Sequence, residues 1–237
     1  MSLRLIAVGA VLCALLAGCS RPSFDRGVDA YKAKDYARAI AQWKPLAEAG
    51  DARAQANLGA MYNDGAGVNA DPAEAARWLK LAAAQGNANA EAGLGVLYIN
   101  GKGVAQDPAA ARGWLAKAAA QGQSTAAFNL GVLYDSGQGG PTDKAKAVQY
   151  YTQAANLGDN DAQLNLGVDY ATGDGVPVDK VAAYKWMSLG LRAAASDADH
   201  GAQAHANFDR LKSTMTPAEI AQGDQQVAAF KPAAGAE

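Results

Sequence analysis

The sequence predicts an all-α fold, a right-handed α/α solenoid in which helix pairs stack into a superhelix and terminal helices cap it. The main reason is internal repetition, because a fixed period of about 20 to 50 residues is typical of repeat arrays. Leu-Gly pairs, single aromatic residues and pairs of glycines separated by one residue all recur every 36 residues. The aromatic positions are Trp78, Trp114, Tyr150 and Trp186. Four units without an insertion predict four equivalent helix pairs.

Each unit carries the signals of two helices. Ala54 and Leu58 fall at helical spacing and predict the apolar face of a first helix, which a glycine pair ends. Asp71 supplies an N-cap carboxylate and Pro72 suits the first helical position, so a second helix is expected to begin there. A glycine in the left-handed conformation is expected to close it. The residues expected to cap the next first helices are Asp51, Asn87, Ser124 and Asp159.

Composition favours a folded protein without a nucleic-acid partner. Half of the 237 residues are hydrophobic, which is enough for a sizeable core. The 21 Lys and Arg residues nearly balance the 23 Asp and Glu residues, and phosphate binding needs a basic surface. Cys13 and Cys19 are the only cysteines, so no disulfide is expected in the repeat region.

Residues 1–18 have the layout of a secretory signal peptide. An uncharged apolar stretch follows Arg4, and it is about half as long as the roughly 20 residues that cross a bilayer. Residues 16–19, Leu-Ala-Gly-Cys, resemble the lipobox of bacterial lipoproteins, in which a peptidase cuts before the cysteine and the thiol carries a diacylglycerol. The resemblance implies lipidation of Cys19. An ordinary signal peptide with a stray cysteine is the alternative.

The expected location is the cell envelope, with the lipid holding the chain on the outer membrane facing the periplasm. In the lipoprotein family, an aspartate directly after the cysteine is the usual signal for retention in the inner membrane, and this chain has Ser20 there. Residues 19–23 form a short lipidated tether. The solenoid is therefore expected to lie close to the membrane surface.

The repeat resembles the Sel-one-like repeat (SLR), a relative of the tetratricopeptide repeat. The shared pattern is Ala, three residues, Leu-Gly, two residues, Tyr, then Gly-x-Gly-Val, Asp, Ala, Trp, Ala-Ala and Gly, and it covers residues 51–194. The third unit departs from it with Gly140 for valine and Tyr150 for tryptophan, and the fourth has Ala194 for the last glycine. The resemblance implies an adaptor that binds other proteins.

The chain divides into six predicted segments. A capping box at Thr216 and Glu219 predicts a late helix, which is interpreted as part of a cap because a terminal repeat must hide its apolar face. The segments are the signal peptide 1–18, the tether 19–23, an N-terminal tetratricopeptide-like helix pair 24–50, four repeats 51–194, a C-terminal helical cap 195–230 and a disordered tail 231–237.

No catalytic, metal or cofactor chemistry is predicted. His200 and His205 are five residues apart and do not share a helix face, so a metal pair is not expected. Cysteine catalysis has no thiol besides Cys19, and no strand-turn-helix nucleophile elbow is visible. The pattern therefore favours neither an enzyme nor a cofactor-binding protein.

The favoured function is a membrane-anchored scaffold, expected to be monomeric, that binds a protein or peptide on the concave side. First helices line that side in tetratricopeptide-like arrays, and a turn of 100° per residue away from the core positions defines a stripe that packing does not use. Asparagine amides there suit the backbone of an extended peptide. A solvated face whose asparagines bond only to neighbouring turns is the alternative. The expected partner-binding residues are Arg53, Asn57, Asn89, Thr125, Asn129, Asp161 and Asn165.

Two other functions stay open on the sequence. A peptidoglycan-binding or other glycan-binding module would stack sugars on exposed Tyr and Trp rings, although the aromatic residues here recur at core positions. An envelope-polymer hydrolase would need a carboxyl group in a pocket that perturbs its pKa, and no motif indicates one.

Overall fold

The computed structural model describes residues 21–194, 198–233 and 235, and those residues form helices and loops without a strand. The predicted signal peptide, Cys19 and Ser20 lie outside this range. The helices are α1 (Phe24–Lys32), α2 (Tyr36–Glu48), α3 (Ala52–Asp64), α4 (Pro72–Ala83), α5 (Ala88–Asn100), α6 (Pro108–Ala120), α7 (Ser124–Ser136), α8 (Lys144–Asn156), α9 (Asn160–Thr172), α10 (Lys180–Ala194), α11 (Ala198–Ser213) and α12 (Pro217–Ala229).

The helices stack in chain order. The repeated pairs are α3 with α4, α5 with α6, α7 with α8 and α9 with α10, and the pair of α1 and α2 precedes them. Each pair packs on the next through its second helix and the following first helix. Helices α11 and α12 both pack against α10 and cover the last pair. The predicted solenoid with a helical cap is therefore confirmed.

The first helices lie on the inner side of the curved array. Helix α3 contacts α5, α5 contacts α7, and α9 contacts α11. Within the four repeats, the second helices of successive pairs approach one another less closely, whereas in the C-terminal cap α12 packs directly on α10. Since the row of helices with the shorter spacing lies inside a bend, α3, α5, α7 and α9 line the concave side.

One leucine in each first helix anchors the core. Burying a leucine side chain contributes about 2 kcal/mol, and each of these leucines is at most 1% exposed. Alanines on the second helices face them and are also buried, so the two backbones of a pair come close together. The leucines are Leu58, Leu94, Leu130 and Leu166.

Glycines let the helices approach within a pair and between pairs. A Cβ atom on Gly95 would lie 2.5 Å from Cγ of Leu115 on the partner helix. A glycine inside a helix costs about 1 kcal/mol relative to alanine, and this close packing offsets the cost. In the loop, Gly103 has a φ of +68°, and a Cβ there would lie 1.9 Å from the carbonyl oxygen of Pro72. The loop glycine therefore lets one pair stack on the preceding one.

The helix-start signals are confirmed with one exception. Asp51, Asn87 and Asp159 cap their helices as predicted. Helix α7 begins at Ser124 itself, so the prediction that Ser124 caps it is wrong by one residue. Gln123 occupies the N-cap, and its amide donates a hydrogen bond across to the preceding first helix instead of capping its own. The capping box at the start of α12 is present.

The third repeat repacks around its two departures from the pattern. A Cβ atom on Gly140 would lie 2.6 Å from Nη1 of Arg112, so the missing side chain makes room for the guanidinium. Arg112 donates a hydrogen bond of 2.7 Å to the carbonyl of Leu133 and lies 4.3 Å over the ring of Tyr134. Tyr150 stacks on Tyr134 with 5.6 Å between ring centroids. Arg112 and the stacked rings of Tyr134 and Tyr150 thus fill the space that the usual valine and tryptophan would occupy in this repeat.

Candidate partner-binding surface

The surface predicted to bind a partner is a row of side chains along the concave side, which we call the inner stripe. It takes four positions from each first helix, and the same positions recur in every repeat. The inner stripe consists of Arg53, Asn57, Ala60 and Asp64 on α3, Asn89, Gly93, Val96 and Asn100 on α5, Thr125, Asn129, Val132 and Ser136 on α7, and Asp161, Asn165, Val168 and Thr172 on α9.

The inner stripe lies outside the core. Its two outer rows, which include Thr125 and Asp161, are exposed in all four repeats. The two middle rows are half-buried, apart from the exposed Ala60. The stripe thus offers polar edges and a partly apolar floor, and it is continuous along four repeats.

Two of the predicted residues in the exposed rows already have partners within the chain. The guanidinium of Arg53 lies 3.3 Å from the carboxylate of Asp51 and 4.2 Å from the ring centroid of Phe24. Asn89 accepts a hydrogen bond from the amide of Gln123. These contacts tie neighbouring helices together, so the two side chains have structural roles at the edge of the stripe.

The half-buried row carries the three asparagines. Within the described part of the chain, the side chains of Asn57 and Asn129 make no hydrogen bond to another group. Asn165 differs because it lies beside the hydroxyl of Tyr151. Burial raises the pKa of that hydroxyl, and the carboxylate of Asp135 raises it further. Two amides of the row are therefore uncommitted, and the third faces a buried phenol.

The structure places a charged cluster beside Asn165 that the sequence reasoning missed. We call it the charged recess; it consists of Asp135, Lys144, Asp169 and Asp174 where α7, α8 and α9 meet. The Lys144 Nζ lies 2.6 Å from Oδ1 of Asp135 and 3.0 Å from Oδ2 of Asp174. The hydrogen bond to Asp135, followed by the one to Asp174, raises the pKa of Lys144. These side chains are substantially exposed, so each pair contributes about 0 to 1 kcal/mol.

Asp169 is the member of the charged recess with the most unusual environment. Burial raises its pKa to about 7, and the carboxylates of Asp135 and Asp174 raise it as well, while Lys144 opposes them. Its Oδ2 atom is buried and has no hydrogen-bond partner in the described residues. The sequence does contain a signal for this residue, because its position belongs to the buried core in the other repeats. The equivalents there are Met61, Leu97 and Leu133.

Two cavities lie away from the inner stripe. One, of about 610 Å³, is lined by the loop before α10 and by Glu219 at the start of α12. The other, of about 550 Å³, lies between the second helices α2 and α4 on the outer side of the array. We call the latter the Trp78 cavity; its lining includes Lys44, Glu48, Gln55, Tyr62, Glu74, Arg77, Trp78 and Leu81.

Residues 21–194, 198–233 and 235 contain no cluster of three or more His, Cys, Asp or Glu side chains placed to hold a metal ion. His205 is exposed, and the side chain of His200 lies outside the described ones. In the same residues, no helix combines the length and the apolar character that crossing a membrane requires.

The comparisons with known proteins agree with this architecture. Residues 52–87, 88–123, 124–159 and 160–193 each match the Sel1 repeat, so matched repeats make up more than half of the sequence. The chain belongs to the Sel1 repeat family. Sel1 repeats are protein-interaction modules, and the scaffold proteins built from them are generally not enzymes.

Solved structures of Sel1 repeat proteins resemble this one over most of its length. A Sel1 repeat protein from Oxalobacter formigenes is 28% identical, with a TM-score of 0.71 over 88% of this chain and 86% of that chain. The SLR-fold protein c5321, a protective antigen present in uropathogenic Escherichia coli strains, is 30% identical with a TM-score of 0.72, over 86% of this chain and 44% of that longer chain.

A third structure shares the fold alone. It is a Sel1 repeat protein from Klebsiella pneumoniae subsp. pneumoniae, 22% identical, with a TM-score of 0.51 over 80% of this chain and 91% of that chain. No curated protein matches this sequence.

Proposed function

We propose that this Sel1 repeat protein is an envelope scaffold that is anchored to a membrane by a lipid on Cys19 and binds an extended segment of a partner protein along its inner stripe. The observation that supports the binding face is the continuity of the stripe. The same four positions stay outside the core in all four repeats, and this continuity suits an extended chain better than a compact ligand.

The chemistry of the stripe fits a peptide backbone. The amides of Asn57 and Asn129 can each donate and accept hydrogen bonds, and a peptide in extended form presents both kinds of group along its length. Val96, Val132 and Val168 form a half-buried floor for apolar side chains of the partner. A partner bound in this way would gain hydrogen bonds at the polar row and apolar contacts at the floor.

The tether and the lipid complete the proposal. The first helix begins at Phe24, only five residues after Cys19. Two or three acyl chains hold a protein on a bilayer far more stably than a single chain does, so the array would work close to the membrane surface. The serine after the cysteine favours the outer membrane.

Neither alternative gains support from a specific observation. The repeated tryptophans Trp78 and Trp186 are 4% and 6% exposed, so packing uses the ring faces that a glycan-binding module would need. Asp169 has the raised pKa that a general acid requires, but it lines neither of the two cavities and occupies a core position. We therefore attribute its pKa to packing.

The stripe is tested by site-specific photocrosslinking in membranes of cells that express the full chain. A photoreactive residue in place of Asn129 is expected to capture one discrete partner, and one in place of the exposed Lys117 on the outer side is expected to capture none. The triple variant with Asn57, Asn129 and Asn165 changed to Ala should then reduce capture from a neighbouring stripe position, Thr125, by about tenfold, the loss expected from residues that carry much of a binding energy.

A matched triple variant separates binding from folding. Lys80, Lys117 and Gln149 are exposed on the second helices, and changing all three to alanine should leave both capture and the melting temperature unaltered. Equal capture by both triple variants would show that the stripe is ordinary surface and that the site lies elsewhere.

The lipid anchor has its own test. Cells expressing Cys19→Ser should accumulate an uncleaved precursor that takes up no labelled fatty acid, because the thiol is both the lipid acceptor and the landmark for cleavage. Label that persists on the Cys19→Ser protein would refute the anchor without affecting the proposal for the stripe.

A further inference from the structure

Two of the four repeats share an apolar pair on the outer side of the array. Trp78 and Leu81 lie three residues apart on α4, and Trp186 and Leu189 hold the equivalent positions on α10. The second and third repeats have a lysine and a glutamine where these leucines stand. The outer side therefore carries the same apolar pair in the first repeat and in the fourth.

In the fourth repeat this pair is covered by an aromatic side chain from the C-terminal segment. The ring of Phe230 meets Trp186 edge to face, with 5.5 Å between centroids and an angle of 75°. The Nζ of Lys185 lies 3.9 Å from the Trp186 centroid and 5.3 Å from that of Phe230. Leu189 is only 4% exposed and belongs to the same apolar cluster as Val227 of α12.

The residues after Phe230 continue along the outer side without regular structure. The backbone N–H of Ala233 donates a hydrogen bond of 2.8 Å to the carbonyl of Asn156, one of the last carbonyls of α8. These carbonyls have no partner inside their own helix, so a passing extended chain can satisfy them. Pro232 lies beside Gly158, because a Cβ atom added to Gly158 would be 3.4 Å from the proline ring. The array thus binds its own segment 230–233 through one aromatic side chain and one backbone hydrogen bond.

The equivalent place in the first repeat is open. Leu81 is 43% exposed, against 4% for Leu189, and the Trp78 cavity of about 550 Å³ lies beside it. The guanidinium of Arg77 lies over the Trp78 ring, 4.2 Å from its centroid, and so holds the place that the ammonium of Lys185 holds over Trp186. Glu74 holds Arg77 there with a hydrogen bond of 2.6 Å, and this bond lowers the pKa of Glu74.

The tryptophan of the cavity also has unused hydrogen-bonding capacity. Trp78 is 4% exposed, and its buried indole N–H has no well-aligned acceptor in the described residues. It nevertheless lies close enough to the carboxylate of Glu74 to lower the pKa of that group. A buried donor without a well-aligned partner is unfavourable, and a ligand that carries an acceptor would satisfy it.

We propose that the Trp78 cavity is a second binding site, which takes an aromatic side chain carried on an extended segment of another protein in the way that Trp186 takes Phe230. Segment 230–233 is held beside Trp186 by its connection to α12, so its effective concentration is high there and the occupant of the Trp78 cavity comes from another chain. The site is separate from the inner stripe, because none of the residues that line the cavity belongs to the stripe.

The probe is a synthetic peptide with the sequence of residues 226–233, which carries a fluorophore and a photoreactive benzophenone in place of the Phe230 ring. It should bind the purified full chain saturably by fluorescence anisotropy and crosslink to α2 and α4. A peptide with alanine at the aromatic position should bind at least about tenfold more weakly, as expected when the anchor of a small interface is removed.

The matched variants use a change that the array itself contains. Leu81→Lys introduces the residue that the second repeat has at this position, and the exposure of Leu81 makes the change harmless to folding. It should weaken peptide binding by at least about tenfold. The control Gln153→Lys places a lysine at the equivalent position of the third repeat and should leave binding unchanged.

Three results would overturn the proposal. The first is equal binding by the parent chain and Leu81→Lys, or no saturable binding at millimolar peptide. The second is crosslinking beside Trp186 or on the inner stripe, which would mean exchange with the chain's own segment or binding at the other surface. The third is a concentration-dependent dimer that Phe230→Ala abolishes, since the occupant would then be a second copy.

Discussion

The first and fourth repeats follow one sequence pattern, but the helices that pack against them bury equivalent residues to different extents. The fourth is covered by α11, α12 and Phe230, and its outer leucine, Leu189, is buried. The first follows the shorter pair of α1 and α2, and its Leu81 stays exposed. Equivalent positions in a repeat array therefore share a backbone conformation without sharing an environment, because each repeat is buried only by its immediate neighbours.

The first helices of the two repeats differ in the opposite sense. Met61 fills the core of the first repeat at 1% exposure, whereas the fourth has Asp169 at that position beside Asp135 and Lys144. The fourth repeat is thus better covered on the outer side and more polar inside. Four experiments test whether these differences between the two repeats change the stability of the protein as the structure implies.

The largest effect is expected when the acid is moved into the first repeat. Met61→Asp should lower the free energy of unfolding by about 3 to 5 kcal/mol at pH 7, because it buries a carboxylate with no cation such as Lys144 nearby. Chemical denaturation followed by circular dichroism measures the loss. A loss below about 1 kcal/mol would mean that the first repeat tolerates the acid as the fourth does.

The next effect concerns how tightly each pair is packed. Gly167→Ala should cost about 2 to 3 kcal/mol, since its Cβ would lie 2.9 Å from the backbone nitrogen of Met187. Gly59→Ala should cost less, about 1 to 2 kcal/mol, because its two nearest obstacles are side-chain atoms of Leu79, which can shift more readily than backbone, and alanine favours the helix. Melting curves of the two variants give the order, and equal costs would contradict the difference in backbone approach.

The third experiment follows the ionisation of Asp169. Its pKa is about 7 in the folded chain and near 3.9 in an unfolded one, so the folded state holds an extra proton between about pH 4 and 7. Stability is therefore lost as the pH rises through that window. Asp169→Asn should raise the free energy of unfolding by about 2 kcal/mol at pH 8, a value reduced from the full shift because the residue is only partly buried, and by almost nothing at pH 4.

The control for this experiment is a neighbouring acid. Asp174→Asn removes a carboxylate that also raises the pKa of Asp169, but it leaves the buried position ionisable. Its unfolding free energy should keep most of the dependence on pH. A gain from Asp169→Asn that is the same at pH 4 and pH 8 would show that ionisation is not its cause.

The smallest effect is expected from the exposed ion pairs of the charged recess. Lys144→Met should lower the free energy of unfolding by less than about 1 kcal/mol at low ionic strength, because Asp135 and Asp174 are partly in water. The first repeat has Pro72 at the equivalent position and folds without such a pair. A loss that exceeds 2 kcal/mol and is insensitive to salt would mean that the pairs are shielded from solvent.

Most of the fold could be predicted from the sequence because the Leu-Gly pairs and the glycine loops recur in all four repeats and the Asp-Pro helix start recurs in two. The Leu-Gly pairs, the glycine loops and the Asp-Pro helix starts each have a local physical meaning, and the structure places them as expected. The one misplaced cap, at Ser124, occurs where the usual capping side chain is replaced by Gln123, which bonds to Asn89 instead. The local rule for helix caps fails there because the side chain at the N-cap makes a hydrogen bond to a different helix.

The candidate surfaces divide along the same line. The helical period alone determined that Asn57 and Asn129 stay outside the core, because the period of a helix assigns a face to every residue. Only the tertiary structure decided that Asp169 shares a recess with Asp135 and Asp174, that Phe230 covers Trp186, and that the matching Trp78 cavity is open. These facts depend on which helices become neighbours, and burial and charge interactions act through space between residues far apart in the chain.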